Sequence, residues 1–394
     1  MPEVKFYPMA ADGRSYPGAN FPFMPHASWR GLFGRRHVAA GSAFAQGGTS
    51  FVRGRYALAE AMRRAGAGQG KAVLLPAFHC RAMVEPVLFI GAQPCFYPVM
   101  ADLRPDFSAL SALLEKSEIP VAAMVITHYF GFSNDVDEAE RFCAAHGIAL
   151  IEDCAHALYG RAGKRLLGSV GSYATASVWK FLPVGDGAIL LDNTGEKTSG
   201  RTAQPWIAEV KALAAMLQGW AQRGWHYRKL EVIDAAALSE QAKLVAARPA
   251  VQAMEPGLKE FQPRLDALSA LRSSRWFMAH AAHERIASRR RENYLKWLEG
   301  MRSVPGVKPL FPDLPEGVVP YAFPLLVDVS GMGFHLLKMA GIPLLRWEDM
   351  AVTDCAISRD YRIRVVQLPC HQELQEQELD WMIRAVQTLL SELN

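Results

Sequence analysis

The chain has 394 residues, half of them apolar, with 43 Lys and Arg against 39 Asp and Glu and a formal net charge of +4. That length buries a sizeable core and exceeds one ordinary domain, so two domains sharing a cleft are expected. So small a charge argues against a nucleic-acid binder, whose basic residues gather on one face or one helix. No membrane span is called for. Met1 to Pro25 is rich in Pro, Gly and aromatics and lacks the basic head and apolar core of a secretory signal, so a cytoplasmic protein without stable membrane insertion is expected. The six cysteines (Cys80, Cys95, Cys143, Cys154, Cys355, Cys370) form no CxxC pair and no metal-ligand spacing, which points to reduced, packed thiols and to no metal site.

In chain order, the stretch from about Phe51 to Asp192 alternates helical and strand patterns in the way that builds a parallel sheet with helices on its faces. Tyr56 to Ala65 is a helix of good propensity, closed by the glycine-rich breaker Gly66 to Gly70, and Ala72 to Pro76 is a strand. Pro120 to Thr127 is a second buried strand. Ser133 to Gly147 carries a polar cap, early acids and a terminal glycine, the punctuation of a helix, and the strand Ile148 to Asp153 follows at once. Ligands of such sheets bind beyond the carboxyl ends of the strands, which places Thr127, His128 and Asp153 at one edge.

From Asn193 to Pro256 the chain carries Trp206, Trp220, Trp225 and Tyr227 among Lys211, Arg223, Arg228 and Lys229, with helical spacing from Ala208 to Gly219. This segment packs on the body of the protein or on a partner subunit, or else lies at a membrane surface. Ala267 to about Leu298 reads as one long helical stretch, whose arginines from Arg285 to Arg291 suit a solvated face. Tyr321 to Asp328 is a strand, and Glu376 to Leu390 an amphipathic terminal helix.

Two residues stand out chemically. Lys180 lies between two apolar, strand-like runs, and Asp153 ends another. A lysine at the end of an apolar strand is poorly solvated, which lowers its pKa and leaves an amine able to form a Schiff base with a carbonyl. A carboxylate at the end of a neighbouring strand can keep a pyridinium nitrogen protonated and so make the ring an electron sink. Singly, each is the kind of charge that commonly sits solvated at a loop edge. Together they point to pyridoxal phosphate.

With Glu152-Asp-Cys-Ala-His156, Lys180 and Gly185-Asp-Gly187 at these spacings, the chain resembles the DegT/DnrJ/StrS aminotransferases, from about Phe51 to Asp192 and again, weakly, from about Phe261 to the C-terminus. The resemblance implies the fold-type I architecture of pyridoxal-phosphate transferases: a large domain with a mostly parallel seven-stranded sheet (1–260, including the 193–256 insert) and a smaller C-terminal α+β domain (261–394). It implies that Lys180 bonds the cofactor aldehyde, that Asp153 faces the ring nitrogen, that His156 lies near the phenolic oxygen and that Thr175 serves the phosphate. Where the family has Ser-Gly-Thr, this chain has Arg53-Gly54-Arg55. Gly54 still lets backbone N–H groups approach an anion at a helix N-terminus, and the two arginines either add contacts or are solvated. The family's ring-stacking position aligns with Cys80, so that His79 or Phe78 stacks instead. His128 matches a family histidine and is either catalytic or a packed strand-end residue. Gln262, in Gln262-Pro-Arg264, stands where a partner subunit's loop reaches the phosphate.

The activity implied is amino transfer, from a donor such as glutamate to a keto-sugar on a nucleotide carrier, in cell-surface polysaccharide or secondary-metabolite synthesis, by a homodimer with shared sites. Relatives that dehydrate sugars commonly have histidine at the lysine position, so Lys180 favours amination. The alternatives are a pyridoxal-phosphate enzyme with a non-sugar substrate or another reaction type, and a non-catalytic binding relative.

Overall fold

The structure, a computed structural model, describes residues 4–9, 15–27, 41–195, 200–226, 233–248, 258–327 and 332–391, the side chains of 219–226 excepted. Seven strands form the main sheet: β1 (Thr49–Phe51), β2 (Ala72–Pro76), β3 (Gln93–Tyr97), β4 (Val121–Thr127), β5 (Ala149–Cys154), β8 (Tyr173–Ser177) and β9 (Ala188–Asp192), with a short hairpin of β6 (Arg161–Ala162) and β7 (Arg165–Leu166) between β5 and β8. Their order is β1-β9-β8-β5-β4-β2-β3, and every pairing from β8 to β3 is parallel, while β9 runs against both of its neighbours. All five residues of β2 are buried, and so are the last five of β4. Such unbroken apolar runs belong to strands covered on both faces, which is why a parallel sheet was legible in them.

The helices of this half lie close to expectation. The first runs Gly54–Arg64, two residues earlier than its propensity suggests, and buries Tyr56, Leu58 and Met62. The helix Val136–His146 starts where the Asp135 carboxylate accepts the Glu138 N–H and stops at Gly147, whose φ of 65° suits a residue without Cβ. A second, three-stranded antiparallel sheet joins β10 (Val307–Pro309), β11 (Ala322–Val327) and β12 (Val365–Pro369), with the terminal helix Glu376–Ser391 near it in sequence. The expected strand thus ends at Val327, and Asp328 lies outside the described residues. The fold is the expected one, a large mostly parallel seven-stranded sheet with a smaller antiparallel sheet beside it.

Three expectations are corrected. The stretch 267–298 is not one helix but two, Arg272–His280 and His283–Met301, separated by extended backbone at Ala281. The reason is tertiary: His283 turns its Nε2 to the Met278 carbonyl at 2.8 Å, satisfying a helix-end acceptor, while its Nδ1 meets the Tyr159 hydroxyl at 2.8 Å. The arginine run does not form a uniformly solvated face either, because Arg290 is fully buried. Lastly, the helix of the insert is longer than expected, Trp206–His226, and its burial is inverted. It touches the body through Glu209, which accepts from the N–H groups of Arg272 and Ser273, and through Ala212 beside Gly185. Trp206, Ile207, Val210, Leu213 and Leu217 are exposed, so of the expected packing on the body or on a partner subunit, these side chains do not take the first. The side chains of Trp220, Arg223 and Trp225, and all of Tyr227, Arg228 and Lys229, lie outside the described residues. Among the described residues no helix is long and apolar enough to cross a membrane.

Candidate active site

The carboxyl ends of three adjacent strands set the site. Thr127 of β4 pairs with Asp153 of β5, and Asp153 with Thr175 of β8, so the three residues lie in one row across the sheet. Side chains alternate along a strand, so Thr175 and Ser177 share a face, while neighbours Glu152 and Asp153 point to opposite ones. A cavity of about 210 Å³ opens at this row, lined among others by Arg53, Gly54, Arg55, Cys80, Asp153, His156, Thr175, Ser177 and Lys180.

Lys180 reaches the cavity differently from the sequence reading. The strand β8 stops at Ser177, and Lys180 ends a short 3-10 turn, Val178–Lys180, three residues further on. That turn bends back because the Val178 N–H bonds the Gly187 carbonyl at 2.9 Å, and Gly187 adopts a φ of 124° that other residues rarely take. The lysine Nζ sits 5.3 Å from the centre of the Tyr321 ring. Burial pulls its pKa below the usual lysine value, outweighing the opposite pull of Cys80 and Asp153. Asp153 shows the complementary shift: burial raises its pKa, while the Ala155 N–H, at 2.9 Å, and Lys180 moderate the rise.

His156 lies against the same wall. Its ring stacks on Tyr321 at 4.2 Å and 18°, and its Nδ1 accepts from the Phe130 N–H at 3.4 Å, which leaves the proton on Nε2. Burial, aided by the Lys180 charge, holds its pKa well below the ordinary value, so it is neutral.

The opposite end of the cavity suits an anion. The helix Gly54–Arg64 begins there with no side-chain cap, so its first N–H groups are unsatisfied by the usual device. A Cβ on Gly54 would stand 2.6 Å from the Ser177 Oγ, so only glycine lets the hydroxyl and the helix start approach this closely. Arg53 crosses the Trp179 ring at 4.8 Å, and one of its terminal nitrogens is buried without a hydrogen-bond partner among the described residues. Arg55 also lines the cavity, with its guanidinium held by Glu260 at 2.7 Å.

Four of the expected site residues do not line the cavity. His79 is fully buried, gives its Nδ1–H to the Pro76 and Ala77 carbonyls, accepts the Ala351 N–H on Nε2 and stacks on Phe96 at 4.8 Å. Burial pushes its pKa down to about 4. Phe78 packs against Trp347, Tyr129 and Tyr361, so the cavity receives Cys80 instead of either ring. His128 sits on the Glu152 side of the sheet edge, donating from Nε2 to Glu152 at 3.0 Å and accepting the Asn134 N–H on Nδ1. Buried, with both ring nitrogens bonded, it has the surroundings of the packed alternative. Gln262 is exposed, and its backbone N–H bonds the Tyr56 hydroxyl.

Glu152 itself accepts from the N–H groups of Gly168, Val170 and Gly171 as well as from His128. It lies with His128 and Cys154 in a buried cluster whose ligand atoms fall within 4.8 Å of one another. Those four donors already use the carboxylate. Sequence reasoning missed Ser177, Trp179, Tyr321, Leu345, Trp347 and Gln367, which also line the cavity. Ser177 was open to discovery, since it shares the face of Thr175. The others come from the turn beyond β8 or from the C-terminal third, where no local pattern marks them.

Residues 43–204 match the profile of the DegT/DnrJ/EryC1/StrS aminotransferase family, bearing out the resemblance read over Phe51 to Asp192. Among characterised relatives, GDP-perosamine synthase of Vibrio cholerae is 28% identical over 149 residues, 37% of this chain and 40% of that one. The UDP-N-acetyl-3-dehydro-alpha-D-glucosamine 3-aminotransferase of Acidithiobacillus ferrooxidans is 30% identical over 158 residues, 38% of this chain and 41% of that one. These matches thus span about two-fifths of the relatives' length. Among solved structures, the aminotransferase TlmJ of Streptoalloteichus hindustanus superposes with a TM-score of 0.61 at 21% identity, covering 88% of this chain and 86% of that one. The PLP-form of a putative sugar aminotransferase, Spr1654 of Streptococcus pneumoniae, gives 0.61 at 15% identity over 100% of both chains. At such identities the superpositions establish the fold.

Proposed function

We propose that this protein is a pyridoxal-phosphate-dependent aminotransferase that passes nitrogen from an amino-acid donor to a keto-sugar, with the nucleotide-linked sugars named among its relatives as the leading class of acceptor. The observation that carries the reading is the meeting of Lys180 and Asp153 in one cavity whose far wall is an uncapped helix start. The residue set fits the group. The Gly54 helix start, Ser177, Thr175 and the unpartnered nitrogen of Arg53 offer donors to a phosphate; Asp153, made more basic by burial, suits a ring nitrogen; and the Nε2–H of His156 suits a phenolic oxygen. When bound, the cofactor supplies an aldehyde for covalent attachment and a pyridinium electron sink.

The chain's own residues do the rest. Lys180, its pKa lowered by burial, would offer the amine that takes the proton from the donor's α-carbon and returns it as an acid. Asp153 would hold a proton on the ring nitrogen of the bound cofactor. Tyr321 and His156 form a stacked wall beside the amine and limit its access to water. Residues 1–260 would be the large domain and 261–394 the small one, in keeping with the spread of strands over 49–192 and 307–369. Two copies would share sites, which gives the exposed Gln262 a role toward a second subunit that it lacks toward its own cavity.

The test is reduction of the cofactor-loaded protein with borohydride and mass mapping of the adduct. Label on Lys180, together with conversion of glutamate to its keto acid on addition of a nucleotide keto-sugar, supports the proposal. Label on another lysine, or none, refutes it. A non-sugar acceptor is the second reading, motivated by Arg53 and Arg55 on the cavity wall where the family has Ser and Thr, and an acceptor screen on the same preparation separates the two.

A further inference from the structure

Arg290 is among the largest fully buried side chains, on the helix His283–Met301, and none of its described hydrogen-bond partners is a carboxylate. Its Nε donates to the Gln372 Oε1 at 3.0 Å; one terminal nitrogen donates to the Pro320 and Tyr321 carbonyls at 3.2 and 3.0 Å; the other donates to the Lys180 carbonyl at 3.1 Å. The guanidinium also lies 4.4 Å from the centre of the Phe181 ring. Gln372 returns the tie by donating to the Phe181 carbonyl at 2.8 Å, and Asn293, one turn along the helix, holds the Cys370 and His371 carbonyls. Burying a guanidinium among neutral acceptors carries a desolvation penalty that an apolar side chain would avoid. What it gains here is geometry, because a planar fork with five donors fixes the relative positions of the groups it spans.

From this geometry we infer that Arg290 is a positioning residue for the reaction: it locks the backbone of Lys180 to that of Tyr321, and so fixes the amine against the aromatic wall. The two carbonyls it bridges belong to the residue whose Nζ does the chemistry and to the residue whose ring lies 5.3 Å from that Nζ. They come from distant parts of the chain, the turn after β8 and the entry to β11, so no local structure holds them in register. The inference rests on the role proposed for Lys180, and its test separates the two.

The experiment follows the rate at which pyridoxal phosphate with cyanoborohydride labels Lys180, read by peptide mass mapping, in the wild-type chain and in Arg290→Lys, which keeps the charge and loses the fork. Circular dichroism and thermal melts confirm folding. Affinity for pyridoxine phosphate, which has no aldehyde, is measured in parallel. The expected result is a fall of about tenfold or more in Lys180 labelling, the size of effect that small misplacements produce, with affinity for pyridoxine phosphate changed less than about twofold. In turnover, kcat falls while the donor KM stays. A folded Arg290→Lys chain that labels Lys180 at the wild-type rate overturns the inference and leaves Arg290 a packing residue. Should that variant not fold, Gln372→Asn, which withdraws one amide from both Arg290 and Phe181, decides by the same criterion. Absence of label at Lys180 in the wild type overturns the role of the lysine itself, and the inference with it.

Discussion

The two faces of β5 put adjacent carboxylates to opposite uses. On one face Glu152 is filled: three backbone N–H groups of the 168–171 loop and the His128 ring supply four donors. Burial works to raise its pKa, but those donors and the histidine win, and the carboxyl lies below its ordinary value. On the other face Asp153 accepts, among the described residues, from the Ala155 N–H alone, and its pKa is raised by burial. Both are acidic and both are buried. What separates them is the count of donors each already has, so a buried acid becomes a candidate for chemistry when lone pairs remain that point into a cavity. Glu85 is a second case of the filled kind, accepting from the Lys259, Glu260 and Phe261 N–H groups and from Arg81.

This contrast is open to attack from both sides. On the cavity side, Lys180→Ala is expected to abolish covalent labelling and to lower turnover by about 10³-fold or more, the upper range for losing a positioned acid and base, with the melting temperature unchanged or raised. Asp153→Asn is expected to cost about 10²-fold in turnover, as for loss of one preorganised charge. Stability in the absence of cofactor should not fall, because a costly buried charge is removed. If Asp153→Asn lowers stability while sparing turnover per folded molecule, the assignment of the two faces is reversed.

On the filled side, Glu152→Gln is expected to lower stability by about 2–4 kcal/mol, since an amide cannot accept from four donors and brings two of its own. Urea melts measure this, with turnover per folded molecule kept within about twofold. The pH dependence sharpens it. A carboxyl whose folded pKa is depressed contributes stability that is present above its unfolded value of about 4.3 and is lost as pH falls through the folded value. The gap between wild type and Glu152→Gln should therefore close on acidification below about pH 4, and a gap that widens there would contradict the assignment. The smallest effect is expected at Ser177→Ala, a loss of about three- to tenfold in affinity for pyridoxine phosphate, the worth of one hydroxyl hydrogen bond, measured by calorimetry.

Much of the large sheet was legible because its determinants are local. Unbroken apolar runs such as Val121–Thr127 are strands in any context that covers both faces, and Asp135 and Gly147 bracket their helix with side-chain and backbone chemistry of their own. Lys180 with Asp153 was legible as a chemical pair, and the family spacing tied Thr175 and His156 to it. His79 and Phe78 turn away from the cavity for a physical reason: which way a side chain leaves the end of a strand depends on acceptors and rings elsewhere, such as Phe96 and Ala351 for His79. The break between Arg272–His280 and His283–Met301 was hidden in the same way, since helix propensity runs through it and the His283 ring stops it.

By itself the sequence determined the buried strands at 72–76, 121–127 and 149–154 and the punctuation of the helix Val136–His146, and it marked Lys180 and Asp153 as a candidate pair, because each depends on covalent neighbours within a few residues. Tertiary structure alone decided which acid is spent on backbone and which faces the cavity, that the lysine comes off a turn and not a strand, and that a buried arginine from the C-terminal third holds that turn. Those outcomes depend on desolvation and donor counts summed over groups distant in the chain, and no window of local sequence contains them.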